Sequence, residues 1–308
     1  MDNSSREHDL VLYGATGFVG RLIAGYVAEH APAGMRVGLA GRSRSRLGAV
    51  RSQLPVAAHG WALIEADSQD ADSIAALAAN TRVLFTTVGP YAKHGLPVVG
   101  ACALAGTHYA DLAGEVSFMR EAIDRYDALA RTSGARIVPF IMAAVNTRIV
   151  RRSNALQGWA YGRSLQYGEV LGVAPGPPGA VIARATALGL RAFTGAMAFP
   201  PTRRVLDRFL PAPGTGPSSS TQREGWFHSQ VTARTENGHR YQAIAAGPGD
   251  PGYAATAVMA GETALALALD GERLPTAKGS LTPATALGNV LIQRLRAAGH
   301  TYQVTKLA

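Results

Sequence analysis

The residues Asp9-Leu10-Val11-Leu12-Tyr13 run straight into GATGFVG and then into RLIAGYVAEHA, which keeps a helical period as far as Pro32. A short apolar strand, a turn with glycines at 14, 17 and 20, and a helix, in that order, leave few folds open. Each glycine answers a separate demand. Gly14 permits the tight turn, Gly17 lets the backbone approach a pyrophosphate with no Cβ in the way, and Gly20 lets the helix pack closely on the strand. Ala15, Thr16, Phe18 and Val19 complete the loop, and the free N–H groups of the helix start face the phosphates. The feature predicts an α/β fold in which a Rossmann-type parallel sheet holds a dinucleotide.

Apolar runs and helical segments go on alternating. Strands are expected at 36–40, 61–65, 82–87, 108–112 and 135–140, with helices over 43–54, 70–79, 95–105 and 115–131. The second strand ends in Gly41, Arg42, Ser43 and Arg44. A site for NAD usually places Asp or Glu near this point. Guanidinium groups instead suit a 2′-phosphate through forked, charge-assisted hydrogen bonds, so NADP(H) is the expected cofactor. Arg42 is the first choice, helped by Ser43 and Arg44; the other reading is that these residues cap and solvate the next helix. Asp67 either meets the adenine edge or caps the helix after it.

Ligands bind at the carboxyl ends of the strands in such sheets, so Val88, Gly89 and Pro90 are expected to wall the cofactor sugar and nicotinamide. Lys93 and His94 follow at once, before the helix 95–105. With Tyr109 they are the candidate catalytic residues, with Tyr91 behind them. Hydride transfer to a carbon conjugated to a carbonyl needs a donor to the developing enolate oxygen and a proton source for the other carbon. Solvation, capping and core packing are the ordinary alternatives for these side chains. His108, Asp111 and Glu115 are further cleft candidates, only some of which can point inward. No pair has zinc-site spacing, so no metal is expected.

The formal charge is +9, with 30 Lys and Arg against 21 Asp and Glu. This suits an anionic cofactor or lipid, or is a generally basic surface. No basic run alternates with aromatics, so nucleic acid is not an expected partner. Cys102, the one cysteine, excludes an intrachain disulfide and a Cys-based zinc site. The polar first ten residues are unlike a signal peptide, and no apolar run reaches the ~18–20 residues of a membrane span. The expectation is a cytoplasmic protein, with peripheral contact at the inner face of the plasma membrane left open.

After the NADP-binding domain, placed at 1–140, the remainder (141–308) is expected to form a smaller α+β domain. Residues 141–156 are amphipathic, and Arg148 and Arg152 share a face that either binds an anion or is simply solvated. The apolar run 181–198, broken by Arg184 and Arg191, reads as a membrane-facing helix or an ordinary packed one. A short basic segment and an exposed, mobile Pro/Gly/Ser loop at about 211–224 come next. Residues 226–235 and 239–246 read as a hairpin, 253–269 as an apolar helix, and 302–306 as an edge strand. Glu262, inside that helix, is either catalytic or on its outer side.

The runs DLVLYGATGFVGRLIAGYV, LAGRSRSRL and TTVGPYAKHGLPVVGACALAGTHYADLAGE resemble the amino-terminal half of the saccharopine dehydrogenase-like family. More closely, they are similar to its actinobacterial branch of trans-acting enoyl reductases. The resemblance implies NADPH-linked reduction of double bonds in polyketide-derived lipids made by partner synthases, hence a small-molecule or carrier-bound acyl substrate. In that branch a Gly-Phe-Asp-containing loop and a long substrate-domain stretch separate the strand like ARIV from the segment like PFIMAAVNTRIVRRSNAL. Here the two join near residues 138–140, so a truncated second domain is expected. The alternatives are a non-catalytic nucleotide-binding or partner protein of a lipid synthase, and an inactive shortened member. A homodimer is the default expectation for a soluble enzyme.

Overall fold

Strand and helix alternate down the chain as the apolar pattern requires, and the computed structural model describes residues 6–139, 146–170, 172–173, 175–199, 201–202, 216 and 218–307. The first half contains β1 (His8–Tyr13), α1 (Phe18–His30), β2 (Val37–Gly41), α2 (Arg44–Arg51), β3 (Ala62–Glu65), α3 (Ala71–Ala79), β4 (Thr81–Thr86), α4 (Tyr91–Ala105), β5 (His108–Asp111), α5 (Val116–Ser133) and β6 (Arg136–Pro139). It is followed by α6 (Asn146–Leu156), α7 (Pro177–Ala198), α8 (Ser219–Glu224), β7 (Trp226–Arg234), β8 (Arg240–Pro248), α9 (Ala254–Leu269), β9 (Gly279–Ser280), α10 (Pro283–Ala297) and β10 (Thr301–Leu307).

Seven strands form a parallel sheet in the order β3-β2-β1-β4-β5-β6-β9. The direction of winding reverses between β1 and β4, and a doubly wound sheet binds its ligand at that switch point. Both faces are covered, which is why the strands read as continuous apolar runs. Alternate residues serve two cores: Leu10, Leu12, Val83 and Phe85 join one, Val11, Tyr13 and Leu84 the other. The first core also contains α1, α9 and α10 residues such as Ile23, Leu265 and Leu287, and the second contains Val98 and Phe118 of α4 and α5. A smaller antiparallel sheet, β10-β8-β7, completes the α/β architecture, with β10 at one edge. Residues 6–163 and 218–307 belong to one compact unit, and 164–216 to a second.

Several expected boundaries shift for physical reasons. Helix α4 begins at Tyr91 rather than at 95, because the Glu115 carboxylate accepts the N–H groups of Tyr91 and Ala92, both at 2.8 Å. Those are amides that a helix start cannot satisfy internally. The loop expected at about 211–224 ends as helix α8, where the Ser218 hydroxyl accepts the Thr221 N–H. Residues 203–215 of that region, and the junction residue 140, lie outside the described residues. Glu262 is neither catalytic in placement nor on the outer side of its helix. It is buried, accepts the Tyr26 hydroxyl at 2.6 Å and pairs with Arg294 at 3.0 Å.

Candidate cofactor and active site

The turn after β1 is built for a backbone approached closely on two sides. Gly14 has φ +92°, and a Cβ there would lie 2.7 Å from Thr87 Oγ1 and 2.9 Å from Val88 Cγ2. The Thr87 hydroxyl donates to the Gly14 carbonyl at 3.1 Å and the Thr87 N–H to Tyr13, tying the ends of β1 and β4 together at the switch point. Gly20 allows no Cβ either, since it would run into the Gly14 carbonyl. Gly17 caps α1 without a side chain, and no acidic residue lies in the first turn. The initial amides of α1 and its positive dipole end therefore suit a pyrophosphate. Phe18 packs edge-on against Tyr253 at 5.1 Å, so the second half of the chain helps to hold this loop.

At the end of β2 the three expected residues divide their roles. Ser43 caps α2, its hydroxyl accepting the Arg46 N–H. The Arg44 guanidinium donates to the Leu63 carbonyl at 2.9 Å. Arg42 is exposed and makes no hydrogen bond or ion pair among the described residues, which leaves its guanidinium for a 2′-phosphate. Thr16, Arg21 and Arg46 line a hollow of about 330 Å³ with Ala49, Val50 and Gln53. Arg21 and Arg46 were not singled out in the sequence.

Asp67 caps its own turn, accepting the Gln69 N–H at 3.0 Å, while Asp70 caps α3. Val88 is half-buried, whereas Gly89 and Pro90 are exposed and joined by a cis peptide bond. Lys93 and His94 sit in the first turn of α4, not ahead of the helix. Lys93 is exposed, and His94 Nδ1 is hydrogen-bonded to the Ser68 hydroxyl at 3.0 Å, which leaves Nε2 as its other polar atom. Tyr109 is wholly buried and donates to Asp111 at 2.7 Å. Burial and the Asp111 charge beside it push its hydroxyl well above the usual phenol range. The two residues border a cavity of about 20 Å³, enough for one water, along with Phe118, Ile149, Arg152 and Ser280. Arg152 is held there by a 2.6 Å bond to the Ser280 carbonyl, while Arg148 is exposed, so the two do not form a joint anion site.

His108 does not serve the cleft. Its Nδ1 accepts the Arg136 N–H, and burial together with the charges of Arg136 and Lys278 lowers its pKa to about 3. A histidine depressed in the folded state contributes stability above its unfolded pKa of ~6.5, and that contribution is lost as pH falls toward 3. Wild type is therefore expected to lose stability between pH 6.5 and 5 by about 1–2 kcal/mol more than His108→Gln, allowing for partial exposure. Urea midpoints across that range check this, and equal slopes for the two proteins would refute it.

A Tyr-x-x-x-Lys spacing, the pattern of short-chain dehydrogenases, occurs at Tyr302 and Lys306. It lies on strand β10 rather than on a helix beside the switch point, so it does not form that kind of catalytic pair. Among the described residues no cluster of His, Cys, Asp or Glu could hold a metal ion. No helix there is long and apolar enough to cross a membrane.

Residues 10–138 match the family model of the saccharopine dehydrogenase NADP binding domain. A trans-acting enoyl reductase of Mycobacterium tuberculosis strain H37Rv is 34% identical over 420 aligned positions, covering 100% of both chains. The chain belongs to the trans-acting enoyl reductase family. A second member, from Mycobacterium ulcerans, is 33% identical over 424 positions, again covering 100% of each chain. The 420-position alignment is 112 longer than this chain's 308 residues, so at least that many positions of the enoyl reductase have no counterpart here. This chain is thus shorter than that relative. Among solved structures, saccharopine dehydrogenase of Saccharomyces cerevisiae is 16% identical with a TM-score of 0.36, covering 48% of this chain and 30% of that one. At that distance the likeness carries no argument. As an enoyl reductase family member with this NADP-binding domain, the protein takes NADP(H) as its cofactor.

Proposed function

We propose that this protein reduces a carbon–carbon double bond conjugated to an acyl thioester carbonyl, on a lipid chain built by a separate synthase. The observation that carries the reading is the switch point itself: the Gly14 turn locked to Thr87, with the unpaired guanidinium of Arg42 at the neighbouring strand end. When bound, NADPH supplies the hydride. The chain's own residues hold the pyrophosphate on the α1 amides and the 2′-phosphate on Arg42. Lys93 and His94 supply the donor to the developing enolate oxygen and the proton for the α-carbon. Ser68 restrains the His94 ring, and Tyr109, buried behind, supports the strand end through Asp111. A cytoplasmic homodimer completes the reading.

Calorimetric titration with NADPH and NADH tests the cofactor half. Arg42→Ala is expected to weaken NADPH binding about 10- to 100-fold, the worth of charge-assisted hydrogen bonds, and to leave NADH binding unchanged. NADPH oxidation in the presence of 2-enoyl thioesters tests the reaction. His94→Ala and Lys93→Ala should lower kcat without altering the Kd for NADPH. Tight NADPH binding with no turnover would replace the reductase by a nucleotide-binding partner subunit. Failure of a folded sample to bind either nucleotide would overturn both readings.

A further inference from the structure

Helix α7 is 22 residues long, yet its large apolar side chains face solvent: Val181 is 65% exposed, Ile182 51%, Leu188 64%, Leu190 63% and Phe193 44%. A helix of a globular protein normally turns such residues inward. At 3.6 residues per turn, Val181, Ala185, Leu188 and Ala192 fall in one row, with Ile182, Phe193 and Met197 in the next. Together these rows make a broad apolar arc. Arg184 and Arg191, seven residues apart, share a narrow stripe on the other side, and no acidic residue occurs anywhere in the helix.

We propose that α7 lies in the headgroup region of an anionic membrane, its apolar arc in the acyl boundary and its arginine stripe on lipid phosphates. The charge distribution selects this occupant. A phosphate surface beside the helix supplies the acidic charge that α7 itself lacks, whereas a second copy of α7 has none to offer. The surrounding stretch, 164–216, carries five arginines against Glu169 and Asp207, which extends the same bias along the sequence. Arginine stems are long enough to keep the guanidinium at phosphate depth while the arc is immersed. Two arginines without a longer apolar run also fit a helix lying on a bilayer rather than one crossing it, in keeping with the lack of a spanning helix among the described residues. This inference does not depend on the reductase reading, since it rests on the apolar arc and charges of α7 alone.

Flotation of the full chain with vesicles of phosphatidylcholine alone, or mixed with phosphatidylglycerol, tests it. Binding is expected only to the mixed vesicles and should fall as salt is added. R184Q/R191Q should weaken partitioning about 25-fold, at roughly fivefold for each basic residue at an anionic surface. Leu188→Asp should abolish it. Both variants should keep the wild-type Kd for NADPH, which reports a folded dinucleotide site independently of vesicle binding. Equal binding to neutral vesicles, or binding indifferent to R184Q/R191Q, would overturn the proposal. So would no binding at all, including the case of a dimer dispersed by Leu188→Asp that ignores vesicles.

Discussion

Gly14→Val is expected to reduce NADPH affinity by at least 100-fold, about 2.7 kcal/mol or more of binding free energy. Two costs combine. The backbone at Gly14 has φ +92°, which an L-residue with a β-branched side chain adopts at a cost of roughly 1–3 kcal/mol. The new Cβ would also fall 2.7 Å from Thr87 Oγ1 and 2.9 Å from Val88 Cγ2, so the ends of β1 and β4 must part. That parting breaks the Thr87 bond to the Gly14 carbonyl and moves the loop whose amides receive the pyrophosphate. Calorimetric titration measures the affinity, and urea denaturation of the same variant shows how much of the strain reaches global stability. Unchanged NADPH affinity in a folded Gly14→Val protein would mean that the dinucleotide does not use this turn.

Arg294→Met should lower stability by about 3–5 kcal/mol, a large part of the 5–15 kcal/mol typical of a domain. Arg294 joins two buried carboxylates: Nη1 donates to Glu262 at 3.0 Å and Nε to Asp270 at 2.5 Å. Tyr26 donates to the second Glu262 oxygen, so one network links α1, α9 and α10. Methionine fills similar volume but leaves buried Glu262 with no cation and only the Tyr26 hydroxyl, and Asp270 with Arg273 alone, the costly case for an ion pair. Adding Glu262→Leu to Arg294→Met should recover part of the loss, because one stranded charge is removed. A deficit under 1 kcal/mol at pH 7 would mean that water reaches the network.

The candidate site was legible in the sequence wherever its requirement was local. A φ that only glycine adopts easily, an amide row at a helix start and a basic cluster after a strand are all properties of a few consecutive residues. GATGFVG and Arg42 are such features, and the structure sets them at the carboxyl ends of the adjacent strands β1 and β2. Lys93 and His94 were legible as residue types near the right strand end. Their position inside the first turn of α4 was not, because Glu115, 24 residues from Tyr91, starts that helix early. His108 and Tyr109 show the same limit from the other side. Strand alternation said that only some of the cleft candidates could point inward, and the packing put Tyr109 in a core and His108 under Arg136.

By itself the sequence determined the alternation of strand and helix, the glycine-rich turn after β1 and the preference for NADP(H). Only the tertiary structure decided the strand order, the entry of β9 beside β6, the burial of Glu262 against Tyr26, 236 residues away, and the exposure of the α7 apolar arc. The reason is physical. Dihedral preference and hydrophobic period are set by neighbours along the chain, whereas the partner that satisfies a buried charge or a free amide is set by which elements pack together.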